Sequence, residues 1–415
     1  MSGITWRTAG ESHGKGLVGI IEGIPAGMHI SEQSIQHELR RRLKGHGRGE
    51  RAQQIEKDHA EFISGIRFGQ TIGSPISLYI ENKDWINWSE EMAIFGSPPA
   101  NLEKVTVPRP GHADLAGSLK YHHLDIRNVI ERASARETAA RVAIGAIAKQ
   151  LLDLFNIRIF SEAIQIGKVK LLNPVYKRLN EISDEDLEKY IDQIEKSNVH
   201  CGDESVGRQM IQAIDAAKEK GDTVGGRLAV ATLHVPIGLG SYSQYEQRLD
   251  GLLAQAIMSI PAIKTVEIGD GQDLADKYGS VVHDEIFWDQ KSTKYIRSTN
   301  HAGGIEGGIS NGEPIIVTAT MKPIPTLMRP LKSVNIEQKI PDKRLKKRSD
   351  VCSLPSAAVI AEAMIALVLA DQLCKKFGGD SIGEMKKNME NVLYESQLEI
   401  LQTFSLGDWR LGLTD

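Results

Sequence analysis

Two long segments of this 415-residue chain are apolar on almost every face of a helix. The first begins at Glu137 and reads ETAARVAIGAIAKQLLDLF; the second runs from about Ser356 to Lys375 and is mostly Ala, Val, Ile, Leu and Met. A helix apolar all round has no face to turn to water and needs cover on most sides. The Ala and Gly content of the first segment also lets neighbours approach closely. Both segments therefore belong between layers of other structure, which predicts sheets outside and helices inside.

Candidate strands are the alternating or β-branched runs Leu17 to Ile21, Ile76 to Ile80, Arg227 to Val235, Ser280 to Trp288 and Pro314 to Thr320. Several are half polar, which favours antiparallel sheets with one covered face over a doubly wound parallel sheet. No GxGxxG leads from a strand into a helix, so a Rossmann unit is disfavoured. Asn311-Gly312 supplies the two positive-φ positions of a type I′ hairpin turn. That turn would set the glycine-rich AGGIEGG segment (302–308) on or beside a strand, although the glycines alone are more simply a tight turn. From about Asn173 to Gly221 the chain turns polar, and DEDLEKYIDQIEK and RQMIQAIDAAKEK read as amphipathic, solvated helices, either an insertion or a peripheral layer. With no repeat and no Pro/Ser-rich linker, residues 1–415 read as a single α+β domain carrying this polar segment at its edge.

Fifty Lys and Arg oppose 54 Asp and Glu for a net charge of −4, which argues against a globally basic nucleic-acid binder. Cys201, Cys352 and Cys374 are too far apart for a CxxC pair or a disulfide framework, so a reducing compartment is the simpler reading. The N-terminal MSGITWRTAGESHG lacks the apolar core of a signal peptide, and Glu362 and Asp371 interrupt the longest apolar run. A cytoplasmic location without membrane contact is expected.

Within this near-neutral total the cations are unevenly placed. Arg40, Arg41, Arg42, Lys44, Arg48 and Arg51 face only Glu50, at the end of a helical pattern that Gly45, Gly47 and Gly49 break into a loop. Arginine forks on such a loop suit a small substrate with more than one anionic group, or else form a solvated basic face. In RNVIERASARETAAR, Ser134 and Glu137 have capping-box spacing, and Arg132 and Arg136 flank the start of a buried helix where an anion is welcome. Capping explains Ser134 and Glu137 but not the arginines, so an anion site is favoured. In KRLKKRSDVC, Asp350 lies among cations that should keep it ionised, as a base, a partner to an arginine, or an ordinary surface ion pair. Cys352 beside it reads as a small buried side chain. His13 in GESHG and His112 in RPGH sit in glycine-bounded turns. A lone turn histidine is structural more often than catalytic, but two beside anion clusters suit general acids. The other histidines, His122 and His123 included, show no metal spacing with a third ligand, so no metal is expected.

Together GESHG, the RRR…GHGRGER loop, VPRPGHAD, ERASARETAAR, AGGIEGG, KPIPT and RSDVC resemble the chorismate synthase family, in family order and over nearly the whole chain. The resemblance implies a lyase that converts 5-enolpyruvylshikimate 3-phosphate (EPSP) to chorismate and phosphate by 1,4-anti elimination. It implies reduced FMN as cofactor, NADPH as a possible reductant, a β-α-β sandwich of two antiparallel sheets enclosing a helical layer, and a homotetramer. EPSP carries two carboxylates and a phosphate, which suits the three basic clusters. By resemblance, His13 protonates the departing phosphate, His112 protonates reduced flavin, and Asp350 relays a proton from flavin N5. Arg42, Arg48, Arg51, Arg109, Arg136 and Arg348 match arginines that hold substrate anions, with Arg42 and Arg48 also matching NADPH positions. Arg132, Ala133, Ser134, Pro261, Ala262, Gly307, Lys322, Pro323, Ile324, Pro325, Thr326 and Arg348 match FMN positions. Pro261 stands where the family often has Asn and has neither a backbone N–H nor an amide side chain to offer flavin; Ala133 stands where many members have Ser.

Two other readings compete. An NADPH-dependent flavin reductase would use similar anion sites, but would consume NADPH without EPSP. An RNA-binding protein would interleave aromatics with its cations, whereas Phe, Trp and Tyr make up only 5% and none forms a ladder among the arginines.

Overall fold

Small residues decide how the two apolar helices meet. In the computed structural model, which describes residues 3–49, 58–291, 294–343 and 350–398, they are α4 (Thr138–Asp153) and α8 (Leu354–Phe377). A Cβ on Gly145 would stand 2.5 Å from that of Ala363, so the two backbones touch where only hydrogen and methyl groups fit. The other helices in chain order are α1 (Glu32–Leu43), α2 (Asp114–Tyr121), α3 (Arg127–Arg132), α5 (Asp184–Lys196), α6 (Glu204–Glu219), α7 (Leu249–Met258) and α9 (Ile382–Leu398). Helices α1 and α7 complete the inner layer around α4 and α8.

The first sheet comprises β1 (Thr5–Ala9), β2 (Gly16–Glu22), β3 (Ala60–Ser64) and β4 (Ile76–Glu81), all antiparallel in the order β1-β2-β4-β3. Its register pairs Leu17 with Ile80, Gly19 with Leu78 and Ile21 with Ile76, so one face is apolar and lies on α4. The second sheet comprises β5 (Arg158–Ile166), β6 (Val169–Lys170), β7 (Gly226–Leu233), β8 (Ile263–Ile268) and β9 (Ile315–Met321), antiparallel in the order β8-β9-β7-β5-β6. Helix α8 covers its inner face. The result is the expected α+β sandwich of two antiparallel sheets around helices.

Four sequence expectations need correction. The second sheet is covered on both faces: Leu187 and Ile194 of α5 pack with Val175 on Phe160, Ala231, Leu233 and Ile316, which makes β7 buried almost throughout. Within the polar segment 173–221, α5 thus turns one apolar face onto the sheet. The type I′ geometry lies at Gly307-Gly308 (φ +60° and +86°), between the paired strands Ile305–Glu306 and Ile309–Ser310, and not at Asn311-Gly312. Asn311 instead accepts from the Glu313 N–H with its own side chain, a local Asx turn. Ser280 to Trp288 is not one strand: a helical turn, Gly279–Val282, precedes the strand Ile286–Asp289. Between them Asp284 accepts from Thr299 Oγ1 and from the N–H groups of His301 and Ala302, which pins the chain where a continuous strand would run. Finally, β1, β3, β5, β6 and β8 had no matching sequence expectation.

Helix α8 is long and apolar enough to cross a bilayer, yet 89% of its most apolar stretch is buried inside the protein. At its middle Glu362 is fully buried and ionised partners surround it. Arg41 Nη1 and Nη2 donate to it at 2.7 and 2.9 Å, Lys149 Nζ at 2.8 Å and Ser161 Oγ at 2.6 Å. Arg41 also binds Glu38 and, through Nε at 2.8 Å, Glu195. Glu195, His200 and Glu362 approach each other as metal ligands would, but Arg41 bridges the two carboxylates, so the cluster is an ion-pair network. Burial pushes the Glu362 carboxyl up, and Arg41 and Lys149 outweigh it, holding it well below the carboxylate range. Such a depressed group contributes stability that is complete above its ordinary value of 4.5 and lost as pH falls below it. Glu362→Gln should therefore cost about 3–5 kcal/mol near neutral pH, by leaving buried Arg41 and Lys149 without their shared counter-charge. In urea unfolding the deficit should shrink as the pH is taken into the acid range; a deficit independent of pH would contradict this account.

Candidate active site

Helix geometry divides the arginine run at the end of α1. Successive residues point about 100° apart, so Arg40 faces solvent, Arg41 enters the core network and Arg42 turns toward the start of α4. Buried Arg42 donates from Nε to Thr138 Oγ1 at 3.1 Å and from Nη2 to the Ala135 carbonyl at 3.2 Å, and its Nη1 lies 3.3 Å from Asp58 Oδ2. Arg136 Nη1 meets the other oxygen of the same carboxylate at 2.6 Å. Two buried guanidinium groups thus share one buried carboxylate beside the first turn of α4.

The expected capping box does not form. Ser134 accepts from the Arg136 N–H and caps a single 3-10 turn, Ala135–Glu137, after which α4 starts at Thr138. The Glu137 carboxylate is held elsewhere, by Thr8 Oγ1 at 2.5 Å and Arg141 Nε at 2.9 Å. Ala133 closes α3 as its C-cap, and half-exposed Arg132 donates to the Thr8 and Gly10 carbonyls at 3.0 Å. These bonds draw the GESHG turn, between β1 and β2, over the start of α4.

In that turn His13 is gripped by Glu131 of α3. The His13 N–H donates to Glu131 Oε2 at 2.8 Å, Nδ1 lies 2.9 Å from both carboxylate oxygens, and the Ser12 N–H donates to the Glu131 carbonyl at 3.0 Å. The ring of Trp88 stacks on the imidazole with centroids 3.9 Å apart, and Arg127 lies over Trp88. Burial pushes the Glu131 carboxyl up, but His13 and Arg127 prevail and leave it below its ordinary value.

His112 has a parallel arrangement. Its Nδ1 lies 2.5 Å from Oδ1 of fully buried Asp114, and Arg109 Nε donates to the other oxygen at 2.8 Å while Nη1 reaches Thr326 Oγ1 at 3.2 Å. Burial raises the Asp114 carboxyl, and the bonds from His112 and Arg109 overcome it, holding it well below the carboxylate range. Lys322 Nζ donates to the Gly111 carbonyl at 2.5 Å, and the Lys322 N–H to the Ala262 carbonyl at 2.9 Å. Pro323 and Pro325 offer no N–H, while the Ile324 carbonyl accepts from Thr223 Oγ1. Arg141 links the groups: it binds Glu137 at the head of α4 and donates to Ser259 Oγ at 2.9 Å, just before Pro261 and Ala262.

The loop after α1 folds onto the start of α8. Arg48 Nη1 pairs with Asp350 Oδ2 at 2.6 Å, the Gly49 N–H donates to Oδ1 at 2.7 Å, and Ser353 Oγ donates to Oδ2 at 3.0 Å. Arg48 Nε is buried with no hydrogen-bond partner among the described residues. Cys352 is fully buried, and burial pushes its thiol up to about 11, which leaves it inert at neutral pH. Arg51 and Arg348 lie outside the described residues. Gly307 sits apart: its hairpin rests on Arg248 and Leu249, and among the described residues no hydrogen bond joins it to either histidine.

Around the head of α4 the fold therefore collects His13, Arg42, Arg132, Ser134 and Arg136, with Arg48–Asp350 joined through α1 and the His112–Arg109–Lys322 group joined through Arg141 and Ala262. Sequence reading missed Asp58, Glu131, Asp114 and Trp88. Only Asp114 had a local signal, its spacing from His112.

The family model for chorismate synthase matches residues 4–374. The chain is 51% identical over 397 residues to the chorismate synthase of Aquifex aeolicus, covering 94% of this chain and 97% of the relative. It is 48% identical over 394 residues to that of Bacillus subtilis, covering 93% and 98%. A solved structure described as "Crystal Structure of Chorismate Synthase" superposes with a TM-score of 0.76 at 41% identity, across 95% of this chain and 98% of that one. Sequence, fold and motif order agree, and the chain belongs to the chorismate synthase family.

Proposed function

We infer that this chain is a lyase that converts EPSP to chorismate and phosphate, the step of aromatic biosynthesis for which its relatives are named. The observation that carries this reading is that two histidines each hold a buried carboxylate on Nδ1, on a fold that gathers cations at the head of one buried helix. Such a site can hold a small polyanion and exchange protons with it. The relatives named above are chorismate synthases, which does not favour the flavin reductase reading.

The donor set fits FMN as well. Arg48 presents a buried Nε without a partner among the described residues, and Lys322 and Arg132 are cations held by backbone carbonyls, which suits an anionic phosphate. Arg132, Ala133, Ser134 and Lys322 to Thr326 would hold the cofactor, with Pro261 contributing shape alone. Reduced flavin supplies electron density as phosphate leaves and recovers it as the proton is lost. The chain does the rest. Arg42, Arg48, Arg109 and Arg136 bind and orient the substrate anions. His13 gives a proton from its ring to the departing phosphate oxygen, His112 would hold a proton where the cofactor binds, and the Asp350 carboxylate would take over the proton that the elimination releases. NADPH would reach the site through Arg42 and Arg48.

The working unit is a cytoplasmic homotetramer in which the whole chain acts as one domain. In support, the hairpin Ile286–Asp289/Lys294–Arg297 leaves Ile286, Phe287, Trp288 and Tyr295 each at least 45% exposed. A two-stranded ribbon that exposes this much apolar surface is stable only when something covers it.

Under anaerobic conditions phosphate and chorismate should form from EPSP only when FMN is chemically reduced. Folded protein with bound reduced FMN and no product would end the proposal, and NADPH oxidation independent of EPSP would favour the reductase. His112→Ala and Asp350→Ala should each slow turnover by about 10²–10⁴-fold, with FMN affinity nearly unchanged by titration; loss of FMN binding would make them structural. Trp288→Asp should shift the mass seen by light scattering from four chains to fewer. An unchanged mass would remove the hairpin from the interface.

A further inference from the structure

Glu131 touches the GESHG turn three times, and only one of those contacts involves chemistry. Its carbonyl takes the Ser12 N–H and its Oε2 takes the His13 N–H, which fixes the backbone. The third contact places both carboxylate oxygens 2.9 Å from His13 Nδ1. An ionised carboxylate can only accept, so Nδ1 must be the donor and the neutral ring carries its proton there. The other nitrogen, Nε2, lies on the far side of the imidazole. The Trp88 ring, its centroid 3.9 Å from that of the imidazole, packs on the ring and opposes a turn that would carry Nδ1 away from the carboxylate. Burial at 2% exposure keeps water from competing for the carboxylate.

We propose that Glu131 is the positioning residue for His13, setting the ring's tautomer and orientation so that Nε2 is the nitrogen that exchanges a proton with the leaving phosphate. This rests on the reading of His13 as the acid. In the step itself, the Nε2–H bond of the imidazolium breaks and its proton bonds to the phosphate oxygen as the C–O bond cleaves. The ring returns to the neutral Nδ1–H form, and Glu131 stays ionised throughout, stabilising the charged ring without taking its proton.

Glu131→Gln separates positioning from scaffolding. The amide has the same shape and keeps an oxygen for the His13 N–H, but sets an NH2 group against Nδ1. In full-length chain labelled with 15N-histidine, the long-range ring spectrum of neutral His13, identified by its disappearance in His13→Ala, should show Nδ1–H in the wild type and should shift toward Nε2–H in Glu131→Gln. With reduced FMN and EPSP, kcat should fall by roughly tenfold to a hundredfold, a part of the 10²–10⁴ that a positioned acid contributes, while KM holds. Glu131→Asp, which keeps the carboxylate, should retain the wild-type tautomer and recover part of kcat. A wild-type ring spectrum or wild-type kcat in Glu131→Gln would overturn the proposal, and so would an Asp variant as impaired as Gln. Full activity in His13→Ala would instead remove the reading of His13 itself, and the positioning role with it.

Discussion

Glu362 carries a charge at zero exposure in the most apolar helix of the chain, and the inner layer is built to keep that charge paired. Arg41 comes from α1, Lys149 from α4 and Ser161 from β5, so one carboxylate reads the positions of three elements at once, and Arg41 ties in α5 through Glu195. Apolar contacts between Ala-rich helices are forgiving of small slides. A hydrogen-bonded ion network is not, because a displaced partner leaves a buried charge uncompensated. The close approach at Gly145 and Ala363 sets how near α4 and α8 lie; the network sets where along their length they stop.

The candidate site inherits that alignment. The head of α4 presents Arg136, Thr138 and Glu137, and each is bound by a different segment: the Asp58 region, the end of α1, and β1. A polyanion arriving there meets cations already fixed by carboxylates and carbonyls, so little side-chain freedom remains to be lost on binding. Both histidines follow the same logic, with one ring nitrogen committed to a buried acid.

Much of the architecture was legible in the sequence, because all-round apolarity in two helices leaves few other solutions than a sandwich. Period-two patterns located β2, β4, β7 and β9. They failed for β1, whose TWRTA carries little apolar alternation, for β5, where the cover that makes the strand apolar on both faces comes from distant segments, and for β8, an edge strand whose IKTVEI is half exposed. The turn assignment failed because Asn-Gly and Gly-Gly both satisfy positive φ, and register chose between them. At the site, cations and histidines announced themselves by local density. Their acidic partners did not: Asp58 and Glu131 are single carboxylates whose meaning comes only from what folds against them.

Arg41 and Arg42 are neighbours in sequence with unlike tasks, one inside the core network and one at the candidate anion site. The rotation of a helix by one residue is all that separates them. Deleting one residue in α1 ahead of this pair would leave composition and charge almost untouched, yet would swing Arg42 into the core network and leave Leu43 at the candidate anion site. The spacing of α1 from its Ser31 cap to Arg42 is therefore under a counting constraint, one that tolerates many substitutions but no shortening.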